Sequence, residues 1–251
     1  MVKNKIPKQI HYIWLGSNEL DNLSKKCIES WQKFLPDYEI KCWNDENSLE
    51  IINKNQYAKE ALKAKKYAFV SDYLRLYVLY HFGGIYMDTD VQVTKNIDKF
   101  LIHSAFSSFQ DEKNIPTALM GSEKHGIWVK ELLEYYENKS FFNEDNKYDL
   151  TTNVTTITNI SLEKFGLEKN GKYQVLKSNV HIYPREYFCP IDTINYRNNK
   201  FTNNTHAIHL YNGSWTPKYK RILSRIKKIL GIDVEKILGK RIYEKMKRIG
   251  L

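Results

Sequence analysis

The chain has 251 residues, of which 42% are hydrophobic, so it can bury one sizeable core but is short for two full domains. Its apolar runs are shorter than the roughly 18 residues that a membrane-spanning helix needs. The first residues contain lysines but no long apolar segment and no small-residue cleavage site, so we expect a cytoplasmic protein. Three cysteines without Cys-x-x-Cys spacing favour reduced thiols over disulfides or a zinc site.

The net charge of +10 belongs almost entirely to the C-terminal end. Residues 216–251 contain twelve Lys and Arg against three Asp and Glu, and this excess of nine leaves about +1 for residues 1–215. A near-neutral main domain argues against a nucleic-acid-binding module, the usual interpretation of a basic protein. We predict one domain over residues 1–215 and a basic tail over residues 216–251.

The tail has apolar residues at helical spacing in two stretches, one on each side of Gly231. They are Ile222, Leu223, Ile226, Ile229 and Leu230, followed by Val234, Ile237, Leu238, Ile242, Met246 and Ile249. Basic residues beside apolar stripes are typical of amphipathic helices that lie on anionic membranes. We therefore predict peripheral membrane contact. The alternative is that the stripes pack on the main domain and the charges are solvated.

The N-terminal part of the chain is typical of a βαβ unit. Ile6 to Gly16 is a β-branched and aromatic run that ends in glycine, which predicts a strand. A helical stripe runs from Leu23 to Phe34, and Glu39–Trp43 has the composition of a second strand. Short links between these elements predict a right-handed unit and a mostly parallel sheet. Residues 47–66 are predicted to be helical.

A helix predicted from Tyr67 to His81 ends at Gly83-Gly84, a strong stop signal. Ile85–Met87 and Val91–Val93 then have strand composition on either side of two acidic residues. The later predicted elements are strands at Ala105–Phe109, Thr117–Met120, Val175–Tyr183 and Ala207–Tyr211, and a helix across Trp128–Tyr136.

The acidic residues Asp88 and Asp90 are two apart, so in an extended segment their side chains would point the same way. Two adjacent carboxylates repel each other, and the sequence shows no other counter-charge for them. Mn²⁺ and Mg²⁺ prefer oxygen ligands and bind phosphate-bearing substrates through one or two carboxylates, which predicts a divalent cation here. The alternative is a solvated turn. On the preceding helix, Asp72 and Arg75 are three apart and share one face.

These residues carry a resemblance to a known family. Ser71-Asp72, Arg75, Gly83-Gly84-Ile85-Tyr86 and Asp88-Thr89-Asp90 follow the pattern SDxxR…GGxYxDxD, with agreement in spacing from Asp72 to Asp90. The chain thereby resembles the sugar-nucleotide glycosyltransferases of family 32, and is similar over this stretch to the catalytic domains of the large clostridial glucosylating toxins. The resemblance implies an α/β fold of the glycosyltransferase-A type, a Rossmann-type mixed sheet flanked by helices, with residues 1–215 as the catalytic domain.

The resemblance also implies roles for individual residues. Asp90 would be a direct metal ligand, and Asp88 would contact the metal or the ribose. Asp72 would bind sugar or ribose hydroxyls, and Arg75 would pair with Asp72 or with a donor oxygen. Tyr86 would close over the phosphates of the donor.

Two further stretches resemble the family, an opening IPKxIHxIWxG and a closing HxxxxSW that includes His209, Ser214 and Trp215. In the toxin relatives a tryptophan at the place of Trp14 stacks on uracil, which implies the same role here; the alternative is a core tryptophan. His209 would contact the metal or the diphosphate and, as an imidazole, would favour manganese. Ser214 and Trp215 would close over the phosphates beside Tyr86.

The run Thr151–Thr156 supports two interpretations. Relatives have a TGPxxxT-like segment that lines the sugar pocket, but Asn153-Val154 stands here in place of the glycine and proline. The other interpretation is a helix N-terminus capped by hydroxyl groups.

We therefore predict a metal-dependent, retaining glycosyltransferase that uses Mn²⁺ or Mg²⁺. Its expected donor is a nucleotide sugar, a UDP-sugar in the first place, and its expected acceptor is a glycan or a lipid-linked glycan of cell-surface polysaccharide synthesis. A metal-dependent phosphohydrolase and a basic nucleic-acid-binding module are the alternatives, although two-metal hydrolases need more carboxylate and histidine ligands than the sequence offers.

Overall fold

The computed structural model of the protein describes residues 3–16, 18–193 and 198–213. Its strands are β1 (Gln9–Ile13), β2 (Glu39–Trp43), β3 (Gly84–Met87), β4 (Val91–Val93), β5 (Ala105–Ser108), β6 (Leu119–Ser122), β7 (Gln174–Leu176), β8 (Val180–Tyr183) and β9 (Ala207–His209). Its α-helices are α1 (Asn22–Phe34), α2 (Asp45–Asn53), α3 (Gln56–Lys63), α4 (Tyr67–Phe82), α5 (Ile127–Glu134) and α6 (Asn153–Phe165).

Seven of the strands form one sheet in the order β2-β1-β3-β6-β5-β8-β7. Strand β1 is parallel to β2 and β3, and β5 is parallel to β8, whereas β6 is antiparallel to both of its neighbours and β7 is antiparallel to β8. Half of the pairings are therefore antiparallel, so the expectation of a mostly parallel sheet is wrong. The α/β fold with a mixed sheet flanked by helices is confirmed.

Both faces of the sheet are covered by apolar side chains. One hydrophobic cluster joins one face to α2 through α6, and the other joins the opposite face to α1 and β4. The central strand β3 alternates between them, since Tyr86 belongs to the first cluster and Ile85 and Met87 belong to the second. A strand buried on both faces has little freedom to shift, which fixes the position of the acidic residues that follow it.

Gly84 allows β3 to lie directly against β1. A Cβ atom at this position would come within 2.5 Å of the main-chain oxygen of Gln9, and the φ angle of +98° is one that other residues rarely adopt. The glycine pair after α4 therefore ends the helix and also admits the close pairing that places β3 beside β1.

A separate two-stranded sheet pairs β4 with β9 in antiparallel orientation. Val91 lies opposite His209, so the chain after the acidic pair is joined directly to the closing motif. Helix α1 supports this ribbon, because Trp31 Nε1 donates to the Val91 carbonyl at 2.7 Å and the Ser30 hydroxyl accepts from the Val93 amide at 2.9 Å.

The prediction of a single strand from Val175 to Tyr183 is wrong. Ser178 and Asn179 have positive φ angles, and they reverse the chain between β7 and β8, which pair with each other. The helical prediction for residues 47–66 is confirmed in outline but divided, because the Asn55 side chain caps a second helix at the Ala58 amide.

Several predictions lie outside the described residues. These concern Ser214, Trp215 and the whole of the basic tail over residues 216–251. Within the described part of the chain, none of the helices is both long and apolar enough to span a membrane.

Candidate active site

A cavity of about 640 Å³ opens where three strands end. Trp14 follows β1, Asp88 follows β3 and Gln110 lies just beyond β5, and all three residues line the cavity. The carboxyl ends of parallel strands are the usual ligand-binding edge of an open α/β sheet. Helix α4, the start of α6 and the segment from His209 to Gly213 supply much of the remaining wall.

Helix α4 contributes a buried ion pair to this wall. Arg75 Nη2 lies 3.1 Å from Asp72 Oδ1, which confirms that the two side chains share one helix face. The guanidinium also donates to the Thr117 carbonyl at 2.9 Å and to the Ser71 carbonyl at 3.2 Å, and its side chain is only 6% exposed. A charge that is buried this deeply is held in one orientation by its partners.

The two acidic residues after β3 lie in a turn, not in the extended segment that we expected. The Val91 amide donates to the Asp88 carbonyl at 3.0 Å, which closes a four-residue turn around Thr89 and Asp90. Both carboxylates nevertheless line the cavity, since the turn directs them to the same side. Asp88 Oδ1 accepts a hydrogen bond from the Tyr86 hydroxyl at 2.7 Å.

The closing strand β9 brings His209 to Asp90. His209 Nε2 lies 3.3 Å from Asp90 Oδ1, and both side chains are about 15% exposed. Burial by itself would lower the pKa of His209, but the charge of Asp90 and the contact with it raise that pKa to about 10. The pKa of Asp90 is held below its usual value because the neighbouring imidazolium outweighs the effect of burial.

Asp88, Asp90 and His209 form a group that fits a divalent cation. Each offers one ligand atom, and these atoms lie within 4.8 Å of one another. Two carboxylate oxygens and one imidazole nitrogen suit Mn²⁺, and suit Mg²⁺ less well. The His209 ring lies between Asp90 and the Tyr211 ring, whose centroid is 3.9 Å from its own.

The expectation that the acidic pair lacks a counter-charge is wrong. Arg75 Nη1 lies 3.5 Å from Asp88 Oδ1, and His209 serves as the cation for Asp90. A metal ion is therefore not required to keep the two carboxylates together. It would instead compete with Arg75 and His209 for them.

The environment of Asp72 differs from that of the other carboxylates. Burial raises the pKa of Asp72 to about 6, and this increase outweighs the lowering by Arg75, while the nearby Asp88 charge raises it further. Burial also raises the pKa of Tyr86 well above its ordinary value, so this phenol stays protonated and can donate to Asp88.

Trp14 is partly exposed and lines the cavity, so it is not one of the enclosed core tryptophans such as Trp31 or Trp128. Its Nε1 donates to the Asn18 carbonyl at 2.6 Å. The following Gly16 amide lies within hydrogen-bond distance of both Asp45 carboxylate oxygens. These contacts hold the partly exposed indole at the cavity edge, where an aromatic ring can stack on a ligand.

The interpretation of the Thr151–Thr156 run as a capped helix N-terminus is confirmed, and its role in a sugar pocket stays a prediction. Thr152 is the N-cap of α6 and accepts from the Thr155 amide. Thr152, Asn153 and Val154 also line the cavity. The N-terminus of a helix thus forms one side of the site.

Several residues of the site were not found from the sequence. The Asn212 amide donates to Asp90 Oδ2 at 2.8 Å, and its side chain donates to Asp21 Oδ2 at 3.1 Å. Phe69, Gln110 and Thr117 line the cavity as well. The position of Asn212 inside the closing motif was a signal for it, but the other three are ordinary residues until the fold brings them together.

Part of the chain is similar to a family of known proteins. Residues 21–107 match the family described as "Glycosyltransferase sugar-binding region containing DXD motif". The matched segment includes Asp72, Arg75 and the acidic turn. This part of the chain is therefore similar to the DXD glycosyltransferases.

Two relatives illustrate the range of similar proteins. Inositol phosphoceramide mannosyltransferase 2 of Schizosaccharomyces pombe is 30% identical over 138 residues, which are 54% of this chain and 39% of the yeast protein. An uncharacterized glycosyltransferase of Acanthamoeba polyphaga mimivirus is 25% identical over 221 residues, 86% of each chain. The chain thus spans about two fifths of the length of the yeast mannosyltransferase that it matches.

Among solved structures, the PaToxG glycosyltransferase is similar with a TM-score of 0.48 and 20% identity, over 63% of this chain and 70% of that one.

Proposed function

We propose that the protein transfers a hexose from a nucleotide sugar, specifically a UDP-sugar, to a glycan or lipid-linked acceptor in a reaction that depends on a divalent cation. The observation that carries this proposal is the group of Asp88, Asp90 and His209, whose ligand atoms lie within 4.8 Å of one another. They share one cavity with Asp72, Arg75 and Trp14.

The three groups on the cavity wall suit the three parts of such a donor. Asp88, Asp90 and His209 would hold Mn²⁺ or Mg²⁺, which neutralises the charge of the diphosphate as it leaves. The Trp14 indole offers a face for the base. The Asp72 carboxylate is positioned by Arg75 to accept hydrogen bonds from hydroxyl groups.

We further propose that the anomeric configuration is retained without a carboxylate nucleophile. The carboxylates that line the cavity, among the described residues, are Asp72, Asp88 and Asp90. Asp72 is paired with Arg75, and the other two belong to the cation group. In this path the acceptor hydroxyl attacks from the face of the leaving group, and a phosphate oxygen of the donor takes its proton. The path needs no further carboxylate as a nucleophile.

The name of one relative and the basic composition of the tail support an acceptor and a location. The fission-yeast relative is named as a mannosyltransferase of inositol phosphoceramide, which is a lipid. We propose a lipid-linked or cell-surface glycan as the acceptor, and a site of action at the inner face of the cell membrane with the basic tail in contact with anionic lipids.

The test is to incubate the protein with UDP-glucose, UDP-galactose and GDP-mannose in the presence of Mn²⁺ and to identify the products. Release of a nucleoside diphosphate that stops in excess chelator is the expected result, and NMR of the sugar product then reports its anomeric configuration. Release of inorganic phosphate would indicate the alternative phosphohydrolase. No turnover of any donor, with or without simple sugar acceptors, would count against a glycosyltransferase.

A further inference from the structure

A second cavity, of about 450 Å³, lies outside the candidate active site. Its wall comes from α4, from the junction of α2 with α3, and from the end of α5 with the residues after it. Within the described residues, the two cavities share no lining residue. They lie on different faces of α4, because Tyr73 and Tyr77 line this cavity and Asp72 and Arg75 line the other. The roles proposed so far do not involve this second cavity.

Three aromatic side chains of α4 follow one another along its wall. Tyr73, Tyr77 and His81 are four residues apart, so they share one face of the helix. The ring centroids of Tyr73 and Tyr77 are 6.0 Å apart, and those of Tyr77 and His81 are 4.1 Å apart. These three side chains form an aromatic strip about two helical turns long in the cavity wall.

The strip also carries hydroxyl groups that lack partners. Tyr73 is 7% exposed, yet its hydroxyl makes no hydrogen bond to any described residue, and the same is true of the Tyr77 hydroxyl. A buried tyrosine hydroxyl usually has a hydrogen-bond partner. Because Tyr73 lines the cavity, a ligand there can supply one. Burial raises the pKa of Tyr73 to about 12, with smaller effects of Tyr77 and Glu137, so the hydroxyl stays protonated and can donate.

The charges around the cavity do not suit an anion. Lys54 Nζ already pairs with Glu50 at 2.6 Å. Burial and neighbouring positive charges lower the pKa of His81, so its ring is neutral at neutral pH. Glu137 also lines the cavity, and it forms no ion pair within the described part of the chain. A phosphate would therefore meet an unpaired negative charge, which argues against a nucleotide.

An organic cation would suit Glu137 but would offer no acceptor to the two tyrosine hydroxyls. A sugar ring satisfies both requirements. It has a face of C–H groups that can pack on aromatic rings, and its edge carries hydroxyl groups that both donate and accept hydrogen bonds. The volume of about 450 Å³ is within the range of roughly 300–1,000 Å³ that is usual for small-ligand sites.

We propose that this cavity is a second carbohydrate-binding site, in which the strip of Tyr73, Tyr77 and His81 and the carboxylate of Glu137 hold a neutral oligosaccharide. The inference goes beyond the proposed function, because it concerns binding and includes no chemical step. If the protein extends a glycan, a chain bound here stays associated with the enzyme between transfers.

The experiment titrates the full-length protein with short neutral oligosaccharides of glucose, galactose, mannose or N-acetylglucosamine and follows binding by NMR and calorimetry. We expect at least one of them to bind with a Kd of about 1 mM or lower. Binding should persist in saturating UDP and Mn²⁺, since the two cavities are separate. Tyr77→Ala should raise the Kd for the oligosaccharide at least ~10-fold and leave the affinity for UDP unchanged.

Tyr80→Ala is the matched control. Tyr80 is, like Tyr77, a partly exposed tyrosine of α4 that packs on the first hydrophobic cluster, but it does not line the cavity. Its removal should leave the Kd unchanged. Tyr73→Phe is a second variant that keeps the ring and removes the hydroxyl. It should raise the Kd roughly 3- to 10-fold without lowering the melting temperature, because this hydroxyl has no partner to lose within the described chain.

Three results would overturn the inference. They are binding of none of the oligosaccharides, competition of the oligosaccharide with UDP, and equal losses of affinity in Tyr77→Ala and Tyr80→Ala. A protein that binds the oligosaccharide but turns over no nucleotide sugar would keep this inference and lose the proposed function. An active enzyme that binds none of the oligosaccharides outside its active site would do the reverse.

Discussion

Asp90 connects the cation group to the end of the described chain. Its Oδ1 faces His209, its Oδ2 accepts from the Asn212 amide, and its main-chain oxygen accepts from the Leu210 amide. The first contact lies within the proposed cation group, and the other two hold the segment after β9 against the cavity. A substitution at this residue can therefore affect both activity and local order.

Asp90→Asn should lower transfer at least ~100-fold while the protein stays folded. The amide oxygen of asparagine can still accept from Asn212, but it binds a divalent cation more weakly than a carboxylate does. Calorimetry with Mn²⁺ and a nucleotide-release assay check this result. Asp37→Asn is the control. The Asp37 side chain is 78% exposed, so this substitution should change neither Mn²⁺ binding nor nucleotide release. Full turnover by the wild type in excess chelator would contradict the cation requirement.

Trp14→Ala should weaken UDP binding by roughly 1–3 kcal/mol, the range for stacking of a base on an aromatic side chain. The indole is partly exposed at the cavity edge, so its loss should cost little stability. Titration of UDP and thermal unfolding measure the two effects separately, and Trp14→Phe should fall between the wild type and the alanine variant. Unchanged UDP affinity with a large loss of melting temperature would identify Trp14 as a structural residue.

At the scale of secondary structure elements, His11 joins β1, β2 and the end of α4. Trp43 Nε1 donates to His11 Nδ1 at 3.1 Å, which makes Nδ1 an acceptor, so Nε2 carries the proton and donates to the Gly83 carbonyl at 2.9 Å. The ring is neutral and completely buried. Burial lowers the pKa of His11 to about 4, although the Gly83 carbonyl acts in the opposite direction.

This arrangement predicts a loss of stability in acid. The pKa of His11 is lower in the folded chain than its unfolded value of 6.5, so its stabilising contribution is complete above pH 6.5 and is lost as the pH falls toward 4. The loss should reach about 3 kcal/mol in the free energy of unfolding. His11→Gln should be less stable at pH 7.5 but should show a shallower decline between pH 6.5 and 4 in urea titrations.

His103 provides a second test of the same effect. Burial also lowers the pKa of His103 to about 4, so His103→Gln should remove a separate part of the same decline. If the His11 variant kept the full slope of the wild type, the acid sensitivity would have to come from other groups.

At the scale of the whole molecule, the candidate site is assembled from distant parts of the chain. Trp14, the segment from Asp72 to Asp90, Asn153 and the segment from His209 to Asn212 all reach one cavity. Contacts within the site extend to Asn212, so a truncation that tests the tail has to leave this segment in place.

Removal of residues 218–251 tests the tail without touching those contacts. If the tail binds membranes, the truncated protein should lose salt-sensitive binding to vesicles that contain phosphatidylserine, because each basic residue near anionic headgroups contributes about 1 kcal/mol. Its hydrolysis of the soluble donor should be unchanged. Vesicles of phosphatidylcholine alone serve as the control. Unfolding of the truncated protein would show that the stripes belong to the core.

The sequence by itself determined most of the secondary structure elements and the local residue pairs. The 3.6-residue period, the Gly83-Gly84 stop and the three-residue spacing of Asp72 and Arg75 depend on interactions within a few residues. The resemblance carried by the acidic segment indicated the family. These features are local, so periodicity and spacing were enough to predict them.

Only the tertiary structure decided the directions of the strands, the counter-charges and the surroundings of Asn153. The pairing of β4 with β9 puts His209 beside Asp90 across more than a hundred residues, and the crossing of α4 over β3 puts Arg75 beside Asp88. The contact of Asn153 with the Asp72 main chain joins two helices that are far apart in sequence. Such contacts depend on how the chain packs around a shared core, and no local pattern of residues specifies them.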